Sequence, residues 1–99
     1  MIGSPITPEL VLRRRLGVQV RRIRGRLLVK TGPDAFELED VAMLIFTAID
    51  GQRSIADIAA LAVAEYGIDI AEATQDAVEF IGWLAERGLV ELPTASGPR

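Results

Sequence analysis

The sequence predicts an α+β domain of winged helix-turn-helix type, a three-stranded antiparallel sheet followed by three helices. Apolar and polar residues alternate in the first part of the chain, the period of a strand. From Asp40 onward apolar residues recur every three or four positions, the period of a helix. Glycine- and proline-containing turns punctuate both zones. Strands first and helices after place the helices on one face of the sheet.

The domain is expected over residues 16–92. An irregular arm is expected over 1–15, opening with Gly3, Pro5 and Pro8, and a flexible tail over 93–99. Val18-Gln19-Val20-Arg21 alternates as a half-buried strand does. Arg24-Gly25 is a two-residue turn, where glycine accepts a positive φ. Arg26 to Lys30 forms the second strand, with Leu27 and Val29 on one face. Gly32-Pro33-Asp34 turns the chain again, and Ala35-Phe36-Glu37-Leu38 is a short third strand with Phe36 and Leu38 inward. One face of this meander must be covered, because a bare three-stranded sheet is marginal.

The first helix runs from Asp40 to Ile49, its stripe being Val41, Leu44, Ile45, Ala48 and Ile49. The second runs from Ser54 to Tyr66 with Ile55, Ile58, Ala59 and Ala62 aligned, Leu61 beside them, and Gly67 ending it. The third begins at Asp69, with Glu72 as its capping-box partner. Its stripe is Ile70, Ala73, Ala77, Ile81 and Leu84, widened by Phe80 and Trp83. Arg87-Gly88-Leu89 ends it with a left-handed glycine, and Leu89 to Leu92 is a short extended exit. Between the first two helices, Asp50-Gly51 is a stop and Ser54 an N-cap paired with Asp57. Those roles account for the stretch IDGQRSIADI without a ligand. It lacks the alternating donors of a calcium loop and the glycine run and lysine of a phosphate loop.

Composition narrows the function. The 99 residues include neither cysteine nor histidine, which removes disulfides, thiolate nucleophiles, imidazole bases and the common transition-metal ligands. No cofactor and no metal are expected. No apolar run approaches the roughly 20 residues that span a bilayer. The opening MIGSPITPE has neither the basic nor the apolar region of a signal peptide, so a cytoplasmic location is the expectation. Acids at helical spacing, such as Glu72 with Asp76, have no partner set that suggests a tuned acid or base. No enzyme activity is expected.

Net charge is −3 but uneven. Residues 1–30 carry eight bases against the single acid Glu9, while residues 31–99 carry three bases against thirteen acids. Arg13–Arg15, Arg21, Arg22, Arg24 and Arg26 raise the reading of a small winged-helix DNA-binding or regulatory subunit. A winged helix reads DNA with its last helix. Here that helix carries Asp69, Glu72, Asp76, Glu79 and Glu86 against Arg87, a segment that phosphate repels. Nucleic acid is therefore not the expected partner, nor is a membrane. The aromatic pair Phe80 and Trp83 suits core packing. It also suits a groove beside the third strand, because an open strand edge next to an apolar helix captures extended peptides.

The chain resembles the PqqD family, the prototype of the recognition element for precursors of ribosomally synthesised, post-translationally modified peptides (RiPPs). The likeness spans residues 16–92. It rests on Phe36-Glu37-Leu38 opening a helix, on Ile49-Asp50-Gly51 with Ser54-Ile55-Ala56-Asp57-Ile58, on Asp76-Ala77-Val78-Glu79-Phe80-Ile81, and on Leu84-Ala85-Glu86-Arg87-Gly88-Leu89-Val90. Glu39 departs from the asparagine that often follows the leucine, and Ala77-Val78 shifts the usual Asp-Val pair by one. The resemblance implies a non-catalytic protein that binds the leader of a precursor peptide and presents it to a maturation enzyme, either a radical SAM enzyme or a leader peptidase or cyclase. It implies leader pairing along Ala35, Phe36, Glu37 and Leu38, with Asp76, Ala77, Phe80 and Trp83 across the cleft. A monomer or weak dimer is expected, since an open edge invites pairing.

Overall fold

The computed structural model describes residues 6–92. In chain order the elements are β1 (Arg13–Arg14), β2 (Gln19–Ile23), β3 (Arg26–Thr31), β4 (Asp34–Leu38), α1 (Asp40–Ala48), α2 (Ile55–Tyr66), α3 (Ile70–Glu86) and β5 (Val90–Glu91). Strands β2, β3 and β4 form the antiparallel sheet, with β3 central. The expected tail over 93–99 and the first five residues of the expected arm lie outside the described residues.

Both hairpins close through two residues. Arg24 and Gly25 both have positive φ, 51° and 79°, the signature of the hairpin turn whose twist matches its strands. Gly32 has φ 55° ahead of Pro33 in the second turn. The pairs that flank the turns are Ile23 with Arg26 and Thr31 with Asp34. In a two-residue hairpin the flanking pair exchanges hydrogen bonds, and pairs then alternate along the ladder. On β4 this turns the N–H and C=O of Asp34, Phe36 and Leu38 toward β3. The same groups of Ala35 and Glu37 point away from β3, to the open edge. On β2 the outward groups belong to Val20 and Arg22.

One sheet face meets the helices, and Leu27, Val29 and Leu38 on it are buried. Alternation places Arg21, Lys30, Ala35 and Glu37 on the other face, which is exposed. Buried Ile45, Phe46 and Ile49 of α1 join Ile55, Ile58, Ala59 and Ala62 of α2 and Ala73, Ala77, Ile81 and Leu84 of α3 in one core. Alanines on the buried faces of α2 and α3 let these two helices pack closely. The α1 face is rotated from the expected stripe: Phe46 is fully buried, while Val41 and Leu44 are only half-buried. Ile70 and Leu61, expected with the apolar stripes, are exposed.

The helix ends follow local chemistry. Ser54 Oγ accepts from the Asp57 N–H at 3.1 Å, and Asp57 Oδ2 accepts from the Ser54 N–H at 3.1 Å, a complete capping box. Asp50 is more than a helix stop: its Oδ1 accepts from the N–H groups of Gln52 and Arg53, both at 2.9 Å, and its Oδ2 from Arg53 Nη1 at 3.0 Å. Those two N–H bonds, then the Arg53 charge, hold the Asp50 carboxyl below the ordinary range. Asp69 caps α3 by accepting from Ala71 and Glu72 N–H, a one-sided cap rather than the expected reciprocal box. The Leu89 N–H bonds Leu84 O and the Gly88 N–H bonds Ala85 O, so α3 ends in a Schellman motif with Leu84 and Leu89 buried together. At the start of α1, Glu39 makes no side-chain cap and Asp40 takes φ 51°, a conformation aspartate tolerates.

Residues 10–15, expected within an irregular arm, are tied into the body. Strand β1 pairs with β5, Arg13 opposite Glu91 and Arg14 opposite Val90. Leu10 O and Leu12 O accept from the Ile55 and Gly51 N–H groups, and the Arg15 N–H donates to Leu89 O. These backbone bonds seat Leu12 in the core. The bonds are all non-local, which is why no local periodicity announces them.

Candidate peptide-binding cleft

A cleft of about 560 Å3 opens between β4 and α3, lined by Glu37, Leu38, Ala42, Asp76, Glu79, Phe80 and Trp83. It owes its place to both elements. The hairpin register turns Phe36 and Leu38 toward the helices, and α3 turns Asp76, Phe80 and Trp83 toward the sheet because residues three and four apart share a helix face. Phe36 meets Trp83 edge-on at 5.1 Å between ring centroids, and Trp83 stacks on Phe80 at 5.9 Å. The Arg87 guanidinium lies 4.0 Å from the Trp83 ring centroid, and its Nη1 donates to Trp83 O at 3.2 Å. Trp83 is thus braced by Phe36 and Phe80 and by the Arg87 guanidinium. Phe80 and Trp83 are half-buried, against the near-zero exposure of the core residues around them. Core packing alone does not account for them.

The expected site residues divide three ways. Leu38, Asp76, Phe80, Trp83 and Glu37 come together in the cleft, and Phe36 lies behind Trp83. Ala35 contributes backbone at the open edge, its side chain being on the exposed sheet face. Ala77 does not belong with them: it is fully buried in the core with Ala73 and Ile81, one helical step round from Asp76. Two lining residues escaped the sequence reading. Glu79 was legible as the neighbour of Phe80 and one turn from Asp76. Ala42 was not, since its place depends on how α1 crosses the end of β4.

Charge at the rim is acidic. Glu37 pairs with Arg26 at 3.3 Å, and Glu79 accepts from Gln75 at 3.3 Å. Asp76 has no hydrogen-bond or ion-pair partner among the described residues. Among the described residues no group of three or more acidic side chains is arranged to hold a metal ion, and no helix is long and apolar enough to cross a membrane. A second groove of about 400 Å3 lies between α1 and α2, with Met43, Leu44, Leu61 and Tyr66 among its walls. Arg22 is its one contribution from the sheet, so it offers no run of strand backbone.

The model of a known family, Coenzyme PQQ synthesis protein D (PqqD), matches residues 25–90. This chain belongs to the PqqD family. The match takes in the hairpin β3–β4, all three helices and the cleft between them. The PqqA binding protein of Xanthomonas axonopodis pv. citri is 31% identical over 92 residues, covering 93% of this chain and all of that relative. The solved structure "Lasso peptide synthetase B1 complexed with the leader peptide" superposes with a TM-score of 0.73 at 26% identity, over 83% of this chain and 98% of that one. The solution structure of the PqqD part of Methylobacterium extorquens PqqCD, described as a stand-alone RiPP recognition element, gives a TM-score of 0.74 at 24% identity, over 87% and 94%. The latter likeness supports the PqqD fold, three-stranded sheet and three helices included.

Proposed function

We propose that this PqqD-family protein binds the leader of a ribosomally made precursor peptide by adding it as a strand to β4, and presents it to a maturation enzyme. The observation that carries the reading is the outward backbone of Ala35 and Glu37 running beside the Phe80–Trp83 cleft. Strand pairing supplies affinity without regard to sequence, and alternate side chains entering the cleft set the register. The names of its relatives, a PqqA binding protein and a leader-bound lasso peptide synthetase component, point the same way. The protein itself contributes recognition rather than catalysis. The enzyme it serves is a radical SAM enzyme or a leader peptidase or cyclase, and the protein acts as a monomer or weak dimer in the cytoplasm.

The test is a fluorescence-polarisation titration with a labelled peptide from the short reading frame beside its gene. Saturable binding that weakens in Phe80→Ala supports the reading, and no binding by the wild type sinks it. The rival reading, duplex DNA binding, predicts a gel shift that fades steeply with salt. The exposed acids of α3 argue against one, and we expect no shift even at low salt.

A further inference from the structure

We propose that the cleft selects leaders that carry a lysine or arginine two residues from the apolar side chain anchored on Phe80 and Trp83, with Asp76 as the receiving carboxylate. The inference rests on the leader-binding reading and adds the chemistry of the peptide. Asp76 and Phe80 are four residues apart on α3, so they share one face with an axial step of about 6 Å. Along an added strand, side chains that enter the same face recur every two residues, about 6.6 Å. The two spacings match closely enough for one peptide side chain to rest on the aromatic pair while its i±2 neighbour reaches Asp76.

The charges around the cleft decide the sign. Glu37 is engaged with Arg26 and Glu79 with Gln75. Asp76 alone of the three rim acids has no such partner among the described residues. An acidic side chain at the i±2 position would be repelled by the Asp76 carboxylate, with Glu79 one turn along α3, whereas a cationic one completes the pair Asp76 lacks. The Arg87 guanidinium sits at the Trp83 end of the ladder and is occupied with that ring and its carbonyl. It therefore does not cancel the acidic end. The site is exposed, so a matched pair shifts affinity by up to about fivefold, and the preference weakens as the screening length falls below about 10 Å above 0.1 M salt. Such a term selects among leaders; it does not hold them.

The probe is a displayed library of random linear peptides, enriched on the full chain at low salt. With the wild type, enriched sequences should share an aromatic or large aliphatic anchor with Lys or Arg two positions away. Asp76→Asn should keep the anchor and lose the charge bias. Asp76→Lys should keep the anchor and replace the cation with Asp or Glu. Asp76 is exposed and lysine is a better helix former than aspartate, so neither variant disturbs the core. Circular dichroism of both variants checks this. Anchored sequences without charge bias, or with a bias that Asp76→Lys leaves unchanged, overturn the inference while leaving the leader-binding reading intact. Lack of enrichment on the wild type overturns both.

Discussion

The two edges of the three-stranded sheet offer the same backbone chemistry and differ in what stands beside them. At β4 the outward groups belong to Ala35 and Glu37, next to a cleft floored by Leu38, Phe80 and Trp83. At β2 they belong to Val20 and Arg22, in a strand whose sequence, QVRRI, runs into Arg24 at the turn. Arg22 folds back so that its Nη1 lies 3.9 Å from the Met43 sulfur. A row of arginines around an edge discourages another strand from pairing there. An unpaired edge is therefore only potential. Neighbouring side chains decide whether it captures a peptide or is kept from doing so, and on the proposed reading the guarded edge and the receptive edge lie two strands apart in this chain.

The sharpest way to break this contrast is proline. Glu37→Pro removes an outward donor and fills the edge with a ring while leaving the bonds to β3 in place. It should lower leader affinity more than about tenfold, since each lost hydrogen bond is worth about 1 kcal/mol and the ring obstructs the next strand. Arg22→Pro, the equivalent change on β2, should leave affinity within about twofold, the spread of an uninvolved surface site. Titration of both variants checks the pair; similar losses would mean that the leader does not distinguish the edges.

The cleft comes next. Phe80→Ala should cost about 2 kcal/mol of binding, roughly thirtyfold, as truncation of an anchoring aromatic does. Arg14→Ala, remote from the cleft and next to Phe46 at 5.4 Å, should cost little. Equal losses in the two titrations would remove the cleft from the account. A smaller effect concerns self-association. Replacing Arg21 and Arg22 by threonine should make the protein associate through β2 at high concentration, an outcome read by sedimentation velocity. If the variant stays as monomeric as the wild type, the arginines are not guarding that edge.

The smallest effect lies away from both edges. Asp50 holds the turn between α1 and α2 with a carboxyl whose folded pKa is lowered, first by the N–H groups of Arg53 and Gln52. A lowered folded pKa means that the stabilisation is complete above the ordinary carboxylate value of 3.8 and is lost as the pH falls through the lowered value. The melting-temperature gap between wild type and Asp50→Ala should thus narrow below that pH, while leader affinity at neutral pH stays unchanged. A gap that is constant with pH would contradict the sign.

What the sequence made legible follows the range of the interactions. Ser54 with Asp57, Gly67 and Gly88 act within one turn of chain, and their capping roles are readable from spacing alone. The cleft was half legible. Phe80 and Trp83 exceed the stripe that a single buried face needs, and so betray a second contact surface. Their partner Phe36 follows from strand alternation. What stayed hidden depends on distant segments. Leu12 is buried by bonds from residues 10–15 to Gly51, Ile55 and Leu89, although the run Leu10-Val11-Leu12 was a faint signal. Phe46 replaces Leu44 in the core because α1 is rotated by what it packs on. The resemblance implies a cleft position for Ala77 beside Asp76, yet one residue on a helix is about 100° of rotation, enough to pass from rim to core.

Amide hydrogen exchange by NMR, with and without the leader peptide, tests the central claim most directly. If the leader is the fourth strand, the Ala35 and Glu37 amides, which face solvent in the free protein, gain protection on binding, and those of Val20 and Arg22 exchange as before. Protection at Val20 and Arg22 instead, or binding that leaves the Ala35 and Glu37 amides unprotected, would contradict strand addition at β4.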